Sequence, residues 1–229
     1  PYFFLGHSMG SFLTRQYIQM HADGLSGAII MGTGSQPGII LHIGKLICRT
    51  IALFRGWTYR SAFVDNMAFG GYNKQFEPAR TPSDWLTKDE AIINTCIHHP
   101  WSTFRFTVNG YYQMFRGIQY IQNPAHIQQI PKNLPLFFVA GGDDPVGNNG
   151  KSVTQVCQQY KAAGIQDVQI KLYPGDRHEI LNETDRDVVY ADLPCSGLGI
   201  LGKKRDIRYR MNPEQMKVLV ELQQKILSV

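Results

Sequence analysis

Runs of hydrophobic residues in the first 34 positions follow the order that a β-α-β unit requires. A short apolar run, 2–5, leads into a segment with apolar residues at helical spacing, which ends at Gly24. A second apolar run, 28–31, ends at Gly32-Thr33-Gly34 and is typical of a buried parallel strand. This pattern therefore predicts a strand, a helix and a second strand.

Helices and strands are again predicted to alternate between residues 111 and 173. The hydrophobic pattern predicts a helix over 111–122, an apolar strand over 135–140, a helix over 150–163 and a further strand over 168–173. Four parallel strands joined by helices place the chain in the α/β class.

The middle of the chain has a different pattern. Residues 39–54 form a helical stretch that is apolar on most of its surface, and we expect other residues to cover it. Residues 55–110 are rich in aromatic side chains and are broken into short pieces by glycines and prolines. We interpret 36–110 as a helical cap inserted over a pocket. A helical subdomain with an ordinary aromatic core is the alternative.

Residues with catalytic chemistry follow three of the four predicted strands. The first strand leads into Gly6-His7-Ser8-Met9-Gly10, a G-x-S-x-G pattern, in which glycines let strand and helix approach closely at an exposed serine. Asp144 follows the third strand and His178 follows the fourth, with Asp143 as the alternative carboxylate. Because the carboxyl ends of parallel strands meet at one edge of a sheet, we expect Ser8, Asp144 and His178 to gather there.

The chain resembles the α/β-hydrolase superfamily, and more narrowly its monoacylglycerol lipase, lysophospholipase and serine aminopeptidase-like branch. The order serine, aspartate, histidine is the α/β-hydrolase order. The resemblance covers roughly residues 1–190, and the segments that carry it are 6–11, 83–87 with 116–117, 137–146 and 172–182. It implies a partial α/β-hydrolase domain with the cap inserted. This domain would consist of the parallel sheet from the nucleophile elbow onward, where the elbow is the sharp turn at Ser8.

The resemblance implies hydrolysis of carboxylic esters, with a monoacylglycerol or lysophospholipid type of substrate. Ser8 would be the nucleophile, His178 the general base, Asp144 the residue that orients the imidazole, and the Met9 backbone N–H an oxyanion donor. We expect the Ser8 hydroxyl and the imidazole to lie within hydrogen-bonding reach, about 2.6 to 3.2 Å. The expected partner is a small lipid or ester substrate, and we expect neither a cofactor nor a metal.

Members of this branch have several strands before the elbow strand, and a loop near those strands supplies a second oxyanion donor. The present sequence contains no counterpart of either. The resemblance therefore implies an N-terminally truncated chain, and we expect such a chain to be a weak catalyst. It also implies that the four strands lie in chain order, with the first strand left as an exposed hydrophobic edge.

The last part of the chain has a different composition. From residue 193 onward there are seven Lys and Arg against three Asp and Glu, although the whole chain carries only +5. The stretch around Pro194-Cys195, followed by the basic cluster 203–210, resembles the catalytic loop of 5-methylcytosine ribosomal RNA methyltransferases of the small subunit methyltransferase B type. The resemblance spans about 187–229 and implies that Cys195 helps to release the methylated base.

The parts of a complete methyltransferase are missing from the chain. No cysteine follows Cys195, and no glycine-rich loop for S-adenosylmethionine precedes the motif. We therefore treat 191–229 as a foreign loop and helix joined to the hydrolase part, with an amphipathic helix over 213–227. A methyltransferase fragment and an inactive fusion remnant are the alternative interpretations of the whole chain.

Composition narrows the protein class without changing this interpretation. With 229 residues and 43% hydrophobic side chains, the chain can bury a sizeable core. No apolar run is long enough, at about 18 residues, to predict a membrane span. The four cysteines form no C-x-x-C pattern, so we expect a cytoplasmic protein. Despite the basic tail we expect no stable nucleic-acid partner.

Overall fold

A computed structural model describes residues 2–192 and divides the chain into two units, 1–183 and 184–229. In chain order, the helices and strands of the first unit are β1 (Tyr2–His7), α1 (Met9–Met20), β2 (Leu25–Met31), α2 (Gly38–Arg55), α3 (Ala62–Phe69), a 3₁₀ turn (Lys74–Phe76), α4 (Glu90–His98), α5 (Val108–Ile121), α6 (Pro124–Ile127), β3 (Leu136–Gly141), α7 (Lys151–Ala162), β4 (Val168–Tyr173) and a second 3₁₀ turn (Ile180–Asn182). The described part of the second unit contains α8 (Arg186–Asp192). The predictions for Pro194, Cys195 and the helix over 213–227 lie outside the described residues.

The four strands form one parallel sheet in the order β1-β2-β3-β4. The register places Ile30 of β2 opposite Phe138 of β3, and Phe138 opposite Ile170 of β4. This confirms the predicted α/β class. Since all four strands are parallel, their carboxyl ends lie at the same edge of the sheet, where the residues after β1, β3 and β4 can meet.

The sheet is stabilised by a hydrophobic core that it shares with the flanking helices. Buried side chains of β2 and β3 pack with one face of α1 and one face of α7. The main members of this core are Ile18, Ala28, Ile30, Leu136, Phe138, Ala140, Val153, Val156, Cys157 and Tyr160. The burial of β2 and β3 holds the carboxyl ends of the central strands in fixed positions.

The outer strand β1 is the edge of the sheet, as its place in the strand order requires. Tyr2, Phe3 and Leu5 are 76%, 62% and 51% exposed within the described part of the chain. Among the residues that the structure describes, the backbone of β1 pairs on one side only, with β2.

The segment between β2 and β3 builds a second hydrophobic core. Helices α2, α3 and α5 surround buried side chains that include Leu41, Cys48, Val64, Tyr111 and Phe115. The expectation that other residues cover most of α2 is wrong for the described residues. One stripe of this helix packs on α5, whereas Ile39, Ile40, Ile43, Leu46, Leu53 and Phe54 are exposed.

Candidate active site

Ser8 occupies a sharp turn between β1 and α1. Its backbone has φ 55° and ψ −122°, in the positive-φ half of the Ramachandran map that side chains with a β-carbon rarely occupy. Two contacts fix the turn: the Ser8 N–H donates to the Met31 carbonyl at 3.0 Å, and the Ser11 hydroxyl donates to the Ser8 carbonyl at 2.6 Å. The serine is therefore held at the carboxyl edge of the sheet.

The two glycines that flank this turn have different roles. A β-carbon on Gly6 would lie 2.2 Å from the Thr14 hydroxyl oxygen and 2.3 Å from the Gly10 carbonyl oxygen, so only glycine fits there. A β-carbon on Gly10 would meet no atom within 4 Å among the described residues. The prediction that strand and helix can approach each other only at glycine is thus correct for Gly6 and wrong for Gly10.

We predict opposite effects on stability for alanine at these two glycines. Gly6→Ala should lower the free energy of unfolding by about 3 kcal/mol, because overpacking against backbone atoms has no easy relief. Gly10→Ala is the matched control inside α1 and should raise it by about 0.5 kcal/mol through the better helix propensity of alanine. Chemical denaturation of the two variants measures both changes. Equal destabilisation by the two substitutions would contradict the assignment.

His178 and Asp144 form a buried pair. The imidazole Nδ1 lies 3.0 Å from the Asp144 Oδ2, and the two residues are 1% and 0% exposed. The other carboxylate oxygen accepts the Val146 N–H at 2.8 Å. Asp143 is exposed, so the geometry selects Asp144 from the two candidate carboxylates.

The tautomer of His178 follows from this pair. A carboxylate accepts hydrogen bonds, so Nδ1 carries the proton and Nε2 offers a lone pair. Nε2 is buried and has no hydrogen-bond partner in the described part of the chain. The expected hydrogen bond between Ser8 and His178 is therefore absent. Contacts between a nucleophile and its base often tighten only when substrate binds.

His7, the residue before Ser8, joins the loop of His178 to the elbow. Its Nε2 lies 3.1 Å from the His178 carbonyl oxygen, which can only accept, so Nε2 donates. The two imidazole rings lie 4.8 Å apart between centroids. Burial lowers the pKa of His7 more than the nearby Glu179 raises it, which favours a neutral ring. These contacts bring His178 next to the serine turn.

Two further glycines, at the ends of β2 and β3, lie in close contact with residues of the loop that carries His178. Gly32, at the end of β2 with φ +58°, faces the imidazole of His178, where an added β-carbon would lie 3.0 Å from Cε1 and 3.2 Å from Nδ1. At Gly141, the end of β3, an added β-carbon would lie 2.1 Å from the Arg177 carbonyl oxygen. The loops that carry Asp144 and His178 therefore pack directly on the ends of β2 and β3.

A cavity of about 1330 Å³ opens beside Ser8. Apolar side chains of α2 and α5 form one part of its wall, and the segment 80–85 adds polar groups on another part. Met9, the first residue of α1, also lines it. As a first-turn residue Met9 has no intrahelical acceptor for its N–H. A carbonyl group placed in the cavity beside Ser8 can accept a hydrogen bond from an N–H group of this kind.

Two aromatic residues from the segment between β2 and β3 lie close to the His178 ring. The Trp85 ring lies 5.1 Å from the His178 ring, and the Tyr72 ring meets Trp85 edge-on at 4.9 Å. Burial raises the pKa of Tyr72 to about 12, and the Asp144 charge adds to the effect, so its hydroxyl stays neutral. From the sequence, both aromatics lie in the proposed cap, and Trp85 also lies in the segment 83–87 that carries the family resemblance. Nothing in their spacing pointed to contacts with a histidine roughly a hundred residues further on.

A parallel sheet with a strained serine turn after one strand and a buried Asp-His pair on the loops of two others defines an α/β-hydrolase site. The family model for serine aminopeptidase, S33, matches residues 1–185. The chain belongs to this family.

Solved structures agree with this family. A thermostable carboxyl esterase from Bacillus coagulans in complex with glycerol shares 29% identity with a TM-score of 0.75, over 83% of this chain and 61% of the esterase chain. A lipase in its open form shares 22% identity with a TM-score of 0.71, over 82% and 61%. A soluble variant of the monoglyceride lipase from Saccharomyces cerevisiae shares 22% with a TM-score of 0.58, over 84% and 60%. The present chain thus spans less than two thirds of each of these three proteins.

A second family model, 16S rRNA methyltransferase RsmB/F, matches residues 144–229. This match includes the predicted methyltransferase-like segment and extends back over the loops of Asp144 and His178. No curated protein matches the chain. Within residues 2–192, no helix has both the length and the apolar character needed to cross a bilayer.

Proposed function

We propose that this chain carries the catalytic residues of a serine ester hydrolase. The observation that carries the proposal is the buried His178, which contacts Asp144 through Nδ1 and keeps Nε2 available beside the strained turn of Ser8. This is the arrangement that a general base for a serine nucleophile needs. The S33 family and the esterase neighbour at 29% identity support the same reaction class.

The proposed reaction proceeds through an acyl-enzyme. The Ser8 oxygen attacks the acyl carbon while His178 Nε2 takes the hydroxyl proton, and Asp144 stabilises the imidazolium. The imidazolium then gives this proton to the leaving alcohol. A water molecule, deprotonated by the same Nε2, attacks the acyl carbon. The bond from the Ser8 oxygen to the acyl carbon then breaks, the imidazolium returns its proton to the Ser8 oxygen, and the acid is released. The Met9 backbone N–H is the proposed donor to the oxyanion in both tetrahedral steps.

The cavity favours an ester with one apolar and one polar end. Its apolar wall suits an acyl chain, and the polar groups of the segment 80–85 suit the hydroxyl groups of an alcohol such as glycerol. We therefore propose monoacylglycerol or lysophospholipid-type esters as the substrate class. The cytoplasmic location expected from the cysteines stays a prediction.

Covalent labelling tests the nucleophile directly. A fluorophosphonate probe should label the full chain at one site, and mass spectrometry of the digest should find the adduct on the peptide that contains Ser8. Phosphonylation needs a serine activated by a base, so a His178→Ala variant should label far more slowly. An adduct on another serine, or equal labelling of the two chains, would overturn the proposal.

A second candidate function rests on the match of residues 144–229 to the methyltransferase model. In that case the chain would be a fragment of an enzyme that methylates cytosine in ribosomal RNA, with Pro194 and Cys195 in its catalytic loop. Calorimetric titration with S-adenosylmethionine distinguishes the two candidates. Binding would favour the methyltransferase fragment, whereas labelling at Ser8 without binding favours the hydrolase.

A further inference from the structure

The segment 83–87, which helped to identify the family resemblance, has no part in the reaction steps above. The structure lays it along the loop that carries His178. The Glu179 N–H donates to the Leu86 carbonyl at 2.7 Å, and the His178 N–H donates to the Trp85 carbonyl at 3.4 Å. The backbone of a cap segment is therefore paired with the backbone on which the candidate base is mounted.

The buried carboxylate of Glu183 forms hydrogen bonds to both of these segments. Glu183 is 0% exposed, and its Oε1 accepts the Arg177 N–H at 2.8 Å. Its Oε2 accepts the Lys88 N–H at 3.0 Å. The Thr87 hydroxyl lies 3.0 Å from the same Oε2 and 2.9 Å from the Asn182 carbonyl oxygen, so these two acceptors share its one proton. The same side chain thus binds the residue before His178 and the end of the cap segment.

These contacts restrain the loop strongly. A buried carboxylate is stable only when its oxygens accept hydrogen bonds, and bonds to an ionised acceptor are stronger than neutral ones. The Lys88 ammonium lies 3.9 Å from Glu183 and 2.9 Å from Asp176, at the start of the loop. His178 is therefore held from both sides, through the N–H groups of Arg177 and Glu179.

We propose that Glu183 is a positioning residue for His178, and that it couples the cap segment 83–87 and the adjoining Lys88 to the imidazole. The proposal rests on the proposed function, in which His178 is the general base. Glu183 acts through the Arg177 N–H on one side and through Thr87 and Lys88 on the other. A shift of the cap segment then moves the imidazole relative to Ser8.

The first test is the turnover of a short-chain p-nitrophenyl ester by the full chain carrying Glu183→Gln. The amide keeps one acceptor oxygen but points an NH₂ group at donors that need an acceptor, so the loop loses one of its two attachments. A displacement of a reacting group by about 1 Å can reduce the rate about 10²-fold. We expect kcat to fall about 10²-fold with KM within about twofold of the original value.

Substitutions at Thr87 test the same hydrogen bonds of Glu183 independently. Thr87→Val removes the hydroxyl that donates to Glu183 and should lower kcat, whereas Thr87→Ser keeps the hydroxyl and should restore it. Glu90→Gln and Thr50→Val are matched controls at exposed positions and should leave turnover unchanged. If Thr87→Val and Glu183→Gln both keep kcat within about twofold, the positioning role is wrong.

A spectroscopic measurement separates positioning from a loss of fold and does not depend on turnover. In protein labelled with ¹⁵N-histidine, the Nδ1 proton that His178 shares with Asp144 should give a protected resonance. Glu183→Gln should weaken or broaden this resonance while the thermal midpoint stays high enough for the chain to be folded. An unchanged resonance overturns the inference, as does a kcat loss explained by unfolding at the assay temperature in both variants.

Different results would overturn the proposed function and the positioning role of Glu183. If Ser8 is not labelled by the fluorophosphonate and turnover does not depend on it, the proposed function is wrong. If Ser8 is labelled but kcat and the His178 resonance are indifferent to Glu183 and Thr87, only the positioning role is wrong.

Discussion

We expect the substitution Ser8→Ala to abolish the turnover of a short-chain p-nitrophenyl ester by this chain. The hydroxyl is the proposed attacking group, and in serine hydrolases the loss of the nucleophile removes about 10⁶-fold in kcat. The fold should not change, because the contacts of the turn use the Ser8 backbone N–H and carbonyl rather than its hydroxyl. Initial rates, corrected for the uncatalysed reaction, measure the effect.

The control for this experiment is Ser26→Ala, a serine on β2 outside the cavity wall. It should retain the original rate. Circular dichroism of both variants should match the unmodified chain. If Ser8→Ala turns over ester as fast as Ser26→Ala, then Ser8 is not the nucleophile.

The second large effect is expected at Asp144. Asp144→Asn replaces an acceptor with a group that can place its NH₂ toward Nδ1, which favours the tautomer with the proton on Nε2. That proton blocks the position that must receive the serine proton, and the comparable change in a serine protease costs about 10⁴-fold in kcat. We therefore expect a loss of up to about 10⁴-fold, with KM little changed.

Asp143→Asn is the matched control, because it makes the same chemical change at the neighbouring residue. Asp143 is exposed, and it forms hydrogen bonds through its backbone. Its N–H donates to the Asp176 carbonyl, and its own carbonyl accepts from the Gln75 side chain. The control should keep most of the activity. A larger loss for Asp143→Asn than for Asp144→Asn would show that the orienting carboxylate has been assigned to the wrong residue.

If Glu183 positions His178 as we propose, the segment 83–87 has a second role beside forming part of the cavity wall. Trp85 lines the cavity with its side chain and accepts the His178 N–H with its carbonyl. Under this proposal, a ligand that moves Trp85 would act on the cavity wall and on His178 together. The backbone hydrogen bonds join the His178 loop to a segment about ninety positions earlier in the chain.

The predicted helices and strands agree closely with the structure where local pattern decides them. The strand over 168–173 has the predicted bounds, and the helix predicted over 150–163 runs from Lys151 to Ala162. Apolar periodicity and glycine or proline stops are local signals, so they fix the type of an element and its approximate ends. They do not show what covers an element, which is why the exposure of α2 was unexpected.

The sequence by itself determined the four strands along the chain, the serine turn after the first strand, and the polar residues after the third and fourth. The order of the strands in the sheet is a result of the tertiary structure. Tertiary structure decided which carboxylate meets His178, why Gly6 and not Gly10 must be glycine, and that Ser8 and His178 make no hydrogen bond. It alone joined His7 to a carbonyl 171 residues away and Thr87 to Glu183 across 96. The reason is physical: periodicity records which face of an element is buried, whereas contacts at hydrogen-bond distance depend on how separate elements pack together.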